Sequence, residues 1–313
     1  MKEGFLIAVV LVVAGLALQL SVGPVVWKVF AWPVNGLAMA CLLALIATMF
    51  LLRRRVWLFR FVGTLQAAVP AMVSAVVLTI VMGLTRQEDG GTWLNDMLTF
   101  WPFVLVYAYI ALILGLVTLK RLSALPRRHG VRDVAFVLNH LGLFLALTTA
   151  TLGNADMLRV KMITTIGELE WRTLTEESTV KEMDLAIELK RFIMETYDDG
   201  SPKRYASEIR VLTKSGKDFE TVVDVNKPCE VEGWKIYQFG YDTEKGPESD
   251  ISILELVSDP WLPLVYAGIY MMLAGAVGMF VFGKAHGGPP FVPRGGHDRL
   301  SPEPQNYSSP LGG

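Results

Sequence analysis

The chain alternates long apolar blocks with short polar stretches, apart from one polar segment of roughly a hundred residues near its C-terminal end. Each apolar block is close to the length of about twenty residues that a helix needs to cross a bilayer. The six blocks cover residues 5–22, 36–52, 61–84, 100–119, 134–152 and 262–282. The pattern therefore predicts a polytopic α-helical membrane protein with six transmembrane helices.

The polar segment between the fifth and sixth predicted helices has strand character. Short runs rich in β-branched and aromatic residues are separated by turn signals, such as the stretch Asp199 to Pro202 and the pair Ser215 and Gly216. The predicted strands are residues 163–171, 185–197, 205–213, 219–226, 234–241 and 249–257. We therefore expect a β-rich domain, a small antiparallel sandwich or barrel, inserted between helices five and six.

The distribution of basic residues predicts the orientation in the membrane. They cluster between spans two and three and between spans four and five: Arg53, Arg54, Arg55, Arg60, Lys120, Arg121, Arg127, Arg128 and Arg132. Loops rich in Lys and Arg stay on the cytoplasmic side. Both termini are then expected in the cytoplasm, and the β-rich domain is expected to be extracytoplasmic.

The predicted spans divide the chain into four parts. Residues 1–153 form a membrane domain with five helices, residues 154–258 form the β-rich domain, and residues 259–283 form the sixth helix. Residues 284–313 are rich in Gly, Pro and Ser and contain too few apolar residues to fold. We expect this last part to be a disordered cytoplasmic tail.

Composition agrees with a membrane protein and narrows the classes of function. Hydrophobic residues make up 52% of the chain and the mean hydropathy is +0.41. The formal net charge of -1 gives no reason to expect a nucleic-acid partner. The β-rich segment contains no histidine and no Ser, His and Asp set, so no catalytic residues are assigned. Cys229 is its single cysteine and is interpreted as a packed thiol.

His140 is the candidate functional residue because it is the one histidine inside a predicted span. It lies about 10 Å from the cytoplasmic boundary marked by Arg132 and Asp133, at the rise of an α-helix. An ionisable ring in hydrocarbon is costly and needs a partner. A hydrogen bond to a carbonyl or hydroxyl satisfies neutral imidazole, and so does a metal, for which heme iron is the commonest choice in apolar membrane surroundings. The residues alone leave both interpretations open.

Two aromatic residues lie on the same side of the predicted helix as His140. Phe136 comes one turn before it and Phe144 one turn after it, and Leu143 and Leu147 share that side. These side chains form an apolar wall against which a porphyrin could pack. The alternative is that the rings contact lipid or another helix. Phe136 and Phe144 are therefore candidate heme-packing residues.

The sixth predicted span carries small residues at close to heptad spacing. They are Ala267, Gly268, Ala274, Gly275 and Gly278. Such a face lets another helix approach closely. That helix belongs either to a partner subunit or to the chain's own bundle.

Four motifs follow one another along the second half of the chain. They are NHLGLFLAL from Asn139, AIELKRFIMETYDDGSPKRYASEIRVL from Ala186, VVDVNKPCEVEGWKIYQFGYD from Val222 and DPWLPLVYAGIYMMLAGAVGMF from Asp259. The series resembles the ResB (CcsB) family of system II cytochrome c biogenesis. The family's external signature corresponds to Asn226, Pro228, Gly233, Tyr237 and Gln238, and the opening of its last helix to Asp259, Pro260, Pro263, Leu264, Val265 and Tyr266. These positions look structural rather than catalytic.

The resemblance implies a subunit that helps carry heme across the membrane and position it for covalent attachment to apocytochrome c. It implies heme b as cofactor, with His140 as an axial ligand of the iron and the second ligand supplied by a partner. The implied partners are a CcsA-like heme-handling membrane protein, apocytochrome c and a thiol-reducing thioredoxin-like protein. The implied location is the bacterial inner membrane, with the β-rich domain on the periplasmic side.

The chain is not expected to be an enzyme by itself. It has no C-x-x-C pair with which to reduce an acceptor. The resemblance implies that the chain is a subunit of a heme lyase complex, a holocytochrome c synthase. The alternative is a membrane assembly scaffold, or an apocytochrome-binding subunit, that does not itself bind heme. A small-solute transporter is less favoured because the sequence has no evident inverted repeats.

Overall fold

The structure is a computed structural model that describes residues 2–88, 93–128 and 130–282. The predicted tail, residues 284–313, lies outside the described residues, as do His129, His286 and His297.

The membrane part of the described chain is built from α-helices. They are α1 (Lys2–Val22), α2 (Val34–Leu52), α3 (Trp57–Val62), α4 (Leu65–Leu84), α5 (Trp101–Arg128), α6 (Val131–Gly153) and α7 (Leu262–Phe282). Six of these described helices, all but the short α3, are long and apolar enough to cross a bilayer. The protein is therefore a multi-pass membrane protein, and this prediction is confirmed.

The start of the third predicted span, residues 61–84, is wrong because the helix breaks at residues 63 and 64. Thr64 has an extended backbone, and its hydroxyl donates to the carbonyl oxygen of Phe61 at 2.6 Å. The Nζ atom of Lys120 on α5 donates to the carbonyl oxygen of Gly63 at 2.7 Å. Since side chains satisfy these carbonyls, α3 ends there although apolar residues continue on both sides.

Helix α5 lies at the centre of the bundle, where it contacts α1, α2, α4 and α6. Its side chains Tyr109, Ile113 and Leu116 are buried in one cluster with Ile46 of α2 and Ala67 of α4. Lipid tails are as apolar as these side chains, so close packing rather than exclusion of water stabilises the helix contacts.

Helices α6 and α7 form the closest pair, and the small residues of α7 make this possible. A Cβ atom added at Gly268 would lie 2.5 Å from the backbone nitrogen of Ala146, and one at Gly275 would overlap the backbone of Asn139. The side chain of Asn139 donates across the contact to the carbonyl oxygen of Met272 at 2.9 Å. The small face of the last helix therefore packs within the chain's own bundle.

Between α6 and α7 in the sequence, the described chain forms an antiparallel β-sheet. Its strands are β1 (Leu158–Thr165), β2 (Leu169–Thr175), β3 (Val180–Thr196), β4 (Pro202–Thr213), β5 (Asp218–Asp224), β6 (Cys229–Val231), β7 (Trp234–Tyr241) and β8 (Ile251–Ser258). The strand order is β5-β4-β3-β2-β1-β8-β7-β6. The terminal strand β5 also contacts β6 and β7, so the single sheet curls around its core.

Alternating residues of these strands point into one apolar core, as half-buried strands require. Ile187 and Leu189 of β3, Ile209 of β4, Ile236 of β7 and Leu254 of β8 are each 0% exposed. The curled sheet is closer to a barrel than to two separate stacked sheets.

The first predicted strand, residues 163–171, is wrong because the chain turns inside it. Strand β1 ends at Thr165 and β2 begins at Leu169. Gly167 between them has a φ of +77°, a left-handed conformation that favours glycine, and its N–H donates to the carbonyl oxygen of Leu189 at 2.9 Å. Because apolar residues lie on both sides of this turn, the sequence of residues 163–171 resembles one continuous strand.

Candidate functional site

His140 lies in the first half of α6 and is half-buried. Its Nδ1 atom is 3.0 Å from the backbone carbonyl oxygen of Phe136, one helical turn earlier. A carbonyl oxygen can only accept a hydrogen bond, so Nδ1 of the neutral imidazole must carry the proton. The other ring nitrogen, Nε2, is then left with a free lone pair, which is the form that binds a metal.

Phe136 also fixes the plane of the imidazole. The two rings stack with their centroids 3.8 Å apart and an angle of 21° between their planes. The stacking and the Nδ1 hydrogen bond together oppose rotation of the histidine side chain. One face of the imidazole is covered, while the ring edge that carries Nε2 is not engaged by any hydrogen bond among the described residues.

A basic residue completes the surroundings of this ring pair. The guanidinium carbon of Arg121 on α5 lies 5.2 Å from the centre of the Phe136 ring, and Arg121 forms an ion pair with Asp133 at the start of α6. Its Nε atom is buried and has no hydrogen-bond partner among the described residues. A buried donor without a partner is costly, so this N–H is available to an acceptor such as a carboxylate.

Phe144, the second candidate packing residue, is buried against α5. It is 6% exposed and belongs to the buried cluster of α2, α4 and α5. A Cβ atom added at Gly115 of α5 would lie 3.3 Å from Cε2 of Phe144. The structure thus brings Phe136 to His140 and packs Phe144 against α5, on an inner face of the bundle.

These residues fit a heme group by the chemistry of their donors. His140 offers a single neutral nitrogen for the iron, and the unpartnered Nε–H of Arg121 suits a propionate carboxylate. Among the described residues, no group of three or more His, Cys, Asp or Glu side chains lies close enough to hold a bare metal ion.

Asp156 forms a polar junction between the helices and the sheet that sequence reasoning missed. Its carboxylate accepts hydrogen bonds from the backbone N–H of Trp32 at 2.7 Å, from Nδ2 of Asn35 at 2.7 Å and from Nε1 of Trp261 at 2.6 Å. Asn35 is 0% exposed and also donates to the carbonyl oxygen of Leu152. The junction joins the starts of α2 and α7 to the end of α6. An Asn just before the second predicted span and an Asp just after the fifth were the signals available in the sequence.

One further contact shapes this junction, and a separate ion pair joins the sheet to the loop before α2. Gly153 leaves room for the indole of Trp261, because a Cβ atom there would lie 2.6 Å from its Cγ. Lys28, in the loop between α1 and α2, forms an ion pair with Glu177 in the turn between β2 and β3. The sheet is therefore attached to the membrane helices at more than one place.

The residues that match the family signature have structural roles in the sheet. Glu232 and Gly233, with φ values of +49° and +83°, form the two-residue turn between β6 and β7. Gln238 is 2% exposed and exchanges hydrogen bonds with the hydroxyl of Ser252. Ser207 donates to the same hydroxyl at 2.7 Å, which completes a buried polar network.

The signature residue Asp259 and the nearby Cys229, which is not a signature position, also have structural roles. The carboxylate of Asp259 accepts hydrogen bonds from the backbone N–H groups of Trp261 and Leu262, both at 3.1 Å, and so caps the start of α7. Cys229 is half-buried on β6, and burial raises the pKa of its thiol. A raised pKa keeps the thiol protonated and unreactive, in agreement with a packed side chain.

Comparison with protein families places a family match on the part of the chain that carries this site. Residues 120–250 match the ResB-like family. This region of the chain is ResB-like. It contains the end of α5, the whole of α6 with His140, and strands β1 to β7 of the sheet. The resemblance predicted from the sequence motifs is thereby confirmed, and it supports a role in cytochrome c biogenesis.

One solved structure is also similar to the chain. It is Cytochrome c Heme Lyase CcmF, with 14% identity, a TM-score of 0.34, and coverage of 68% of this chain and 38% of that one. The chain thus spans about two fifths of that protein's length, and a likeness this low carries no argument. The comparison with curated proteins gives no significant match.

Proposed function

We propose that this chain is a membrane subunit of system II cytochrome c biogenesis that holds heme through Nε2 of His140. It acts with a CcsA-like partner and passes heme toward apocytochrome c. The observation that carries the proposal is the hydrogen bond between Nδ1 of His140 and the Phe136 carbonyl, inside the ResB-like region. Metal-binding histidines almost always donate their other ring N–H in this way.

Each residue around His140 has a separate task in this proposal. Phe136 holds the imidazole in one tautomer and one orientation, so little rotational freedom is lost when Nε2 binds. Arg121 offers its unpartnered Nε–H to a carboxylate of the porphyrin. Heme, when bound, would supply iron to Nε2 of His140 and vinyl groups for attachment to cysteine thiols. The partner would supply the second iron ligand.

The basic loops indicate the orientation of the protein in the membrane and therefore the direction of heme transfer. The Arg-rich run that follows α2 and the basic end of α5 remain in the cytoplasm, which puts the sheet on the periplasmic side of a bacterial inner membrane. His140 then lies in the cytoplasmic half of α6, where heme arrives. A membrane-impermeant thiol reagent should label Asp198→Cys in the β3–β4 turn from outside the cell and should leave Arg55→Cys unlabelled. The reverse pattern would contradict this orientation.

The alternative function, a scaffold that binds apocytochrome without heme, is favoured by one feature of the sheet. An open groove of about 570 Å³ runs beside β3 and the end of β4, and it is lined by Trp171 and Lys214 among others. Trp171 is 44% exposed, and an exposed indole beside a groove suits an extended peptide. Heme content separates this alternative from the favoured proposal.

The test is complementation of a strain that lacks the gene. Loss of all c-type cytochromes on deletion, and their return with the wild-type chain, supports a role in cytochrome c biogenesis. The variant His140→Ala should fail to restore them while still being inserted and assembled with its partner. Leu141→Ala is the matched control, because Leu141 is the next residue of α6 and is exposed on the helix surface.

Different results would contradict the role in biogenesis and the role of His140 in heme binding. Normal cytochromes in the deletion strain would exclude a biogenesis role altogether. Full activity of His140→Ala, or a purified complex without heme, would leave biogenesis intact and favour the scaffold.

A further inference from the structure

A second site lies between the end of α2, the short helix α3 and the middle of α5. It is a cavity of about 260 Å³. Four of its six lining side chains are basic and two are apolar: Arg53, Arg54, Arg60, Lys120, Phe59 and Leu116. A concave surface that combines positive charge with apolar walls suits a ligand with an anionic head on an apolar body.

The basic side chains of this cavity are not neutralised by neighbouring acids. None of the four forms an ion pair with a carboxylate within residues 2–88, 93–128 and 130–282. The next residue along α5, Arg121, shows the contrast, because it is paired with Asp133. The cavity therefore keeps a concentrated positive charge.

Two of the basic groups are held at the cavity by the backbone. Nζ of Lys120 donates to the carbonyl oxygen of Gly63 at 2.7 Å. Arg53 donates to the carbonyl oxygen of Phe50, and its guanidinium lies 3.7 Å from the centre of the Phe50 ring. Arg53 and Lys120 line the same cavity, so their like charges repel each other. An anion between them would remove the repulsion.

We propose that this cavity binds the phosphate group of an anionic phospholipid. Arg53 and Lys120 hold the phosphate, and the exposed Arg54 and Arg60 enclose it from the aqueous side. A planar guanidinium can make two parallel hydrogen bonds to phosphate oxygens, and ammonium adds a point charge. Basic pockets between transmembrane helices on the cytoplasmic side are suited to lipid headgroups.

The surroundings favour a lipid over a soluble anion. Leu51, in the last turn of α2, is 74% exposed and would face lipid tails. Phe59 and Leu116 continue apolar surface into the cavity itself. A lipid can therefore put its phosphate on the basic groups while its acyl chains stay beside α2. The site is independent of His140 and of the proposed heme function.

The test uses native mass spectrometry to measure lipid binding by the purified protein. After delipidation in detergent, the wild type should bind phosphatidylglycerol about tenfold more tightly than phosphatidylcholine. The double variant Arg53→Gln with Lys120→Gln should lose that preference. Arg55→Gln is the matched control, since Arg55 lies in the same basic run but does not line the cavity. It should keep the wild-type preference.

Folding and ligand identity are checked separately. If the double variant does not fold, the single variant Arg60→Gln replaces it, because Arg60 is exposed and its substitution should not disturb the fold. This variant should bind phosphatidylglycerol more weakly and phosphatidylcholine as the wild type does. Equal binding of both lipids by the wild type, or an equal loss in Arg55→Gln, would overturn the proposal. Displacement of the lipid by millimolar inorganic phosphate or by hemin would assign the cavity to a free anion or to heme carboxylates, and would also overturn it.

Discussion

The carbonyl oxygen of Phe136 lies 3.0 Å from Nδ1 of His140, and the ring of the same phenylalanine stacks on the imidazole. One residue thus determines which nitrogen carries the proton and how the ring is turned. The two effects can be separated experimentally, because the hydrogen bond uses the backbone and the stacking uses the side chain.

Phe136→Leu should weaken heme retention without abolishing it. The substitution keeps the carbonyl that accepts from Nδ1 and removes the aromatic stack, an effect of about 1 kcal/mol or several-fold in affinity. The measurement is the rate of heme transfer from the purified complex to apomyoglobin. Leu141→Ala should release heme at the wild-type rate. A Phe136→Leu complex that retains heme as well as the wild type would contradict an orienting role.

Asp156→Ala should destabilise the protein because three donors would lose their acceptor at once. An unsatisfied buried polar group costs about 1–3 kcal/mol, and Asn35 is fully buried. Thermal unfolding followed by tryptophan fluorescence should show a transition several degrees lower. Asp198→Ala is the control, since Asp198 is exposed and makes no side-chain hydrogen bond among the described residues. Equal transitions in both variants would contradict the junction.

Gly275→Ala should separate α7 from α6. The added Cβ would overlap the backbone of Asn139, and overpacking of this kind costs about 1–3 kcal/mol. Gly83→Ala on α4 is a matched control, because a Cβ there meets nothing within 4 Å. The Gly83 variant should unfold at or slightly above the wild-type temperature, since alanine favours a helix. A Gly275 variant as stable as wild type would mean that the helices are not in contact.

The ion pair of Glu170 and Arg172 should make the stability of the sheet depend on pH. The Arg172 guanidinium makes two hydrogen bonds of 2.8 Å to the Glu170 carboxylate and lowers its pKa from 4.5 to about 2. A lowered pKa in the folded state gives a stabilisation that is complete above about pH 4.5 and is lost as the pH falls toward about 2.

The measurement for this pair compares unfolding midpoints of the wild type and Glu170→Gln at pH 7 and pH 3. The wild type should be the more stable of the two at pH 7, and the difference should shrink at pH 3. Glu220→Gln controls for the general loss of a carboxylate, because Glu220 is exposed and forms no ion pair among the described residues. A difference that does not change with pH would contradict the assignment.

Much of the fold could be predicted because long apolar runs have few alternatives in a membrane protein. The fifth span, predicted at residues 134–152, is α6 at Val131–Gly153. The break at Thr64 escaped prediction because it depends on hydrogen bonds of Thr64 and Lys120 rather than on hydrophobicity. The three-residue strand β6 is too short to show any periodicity.

The candidate site could be predicted only in part. His140 stands out as a lone ionisable ring in an apolar run, but nothing in the sequence says which carbonyl its Nδ1 meets. The predicted partnership with Phe144 also depended on helical spacing alone, whereas the packing of α5 against α6 determines where that ring lies. Asp156 and Trp32 are 124 residues apart, and contacts over such separations follow from the tertiary fold.

The most direct test of the central claim is the absorption spectrum of the purified complex with His140→Gly. The wild-type complex should show the Soret and α bands of bound heme, and the variant should lose them. Free imidazole should restore the bands, because it can occupy the space of the missing ring and supply its nitrogen. An unchanged heme spectrum in the variant without imidazole, or a wild-type complex with no heme at all, would contradict ligation by His140.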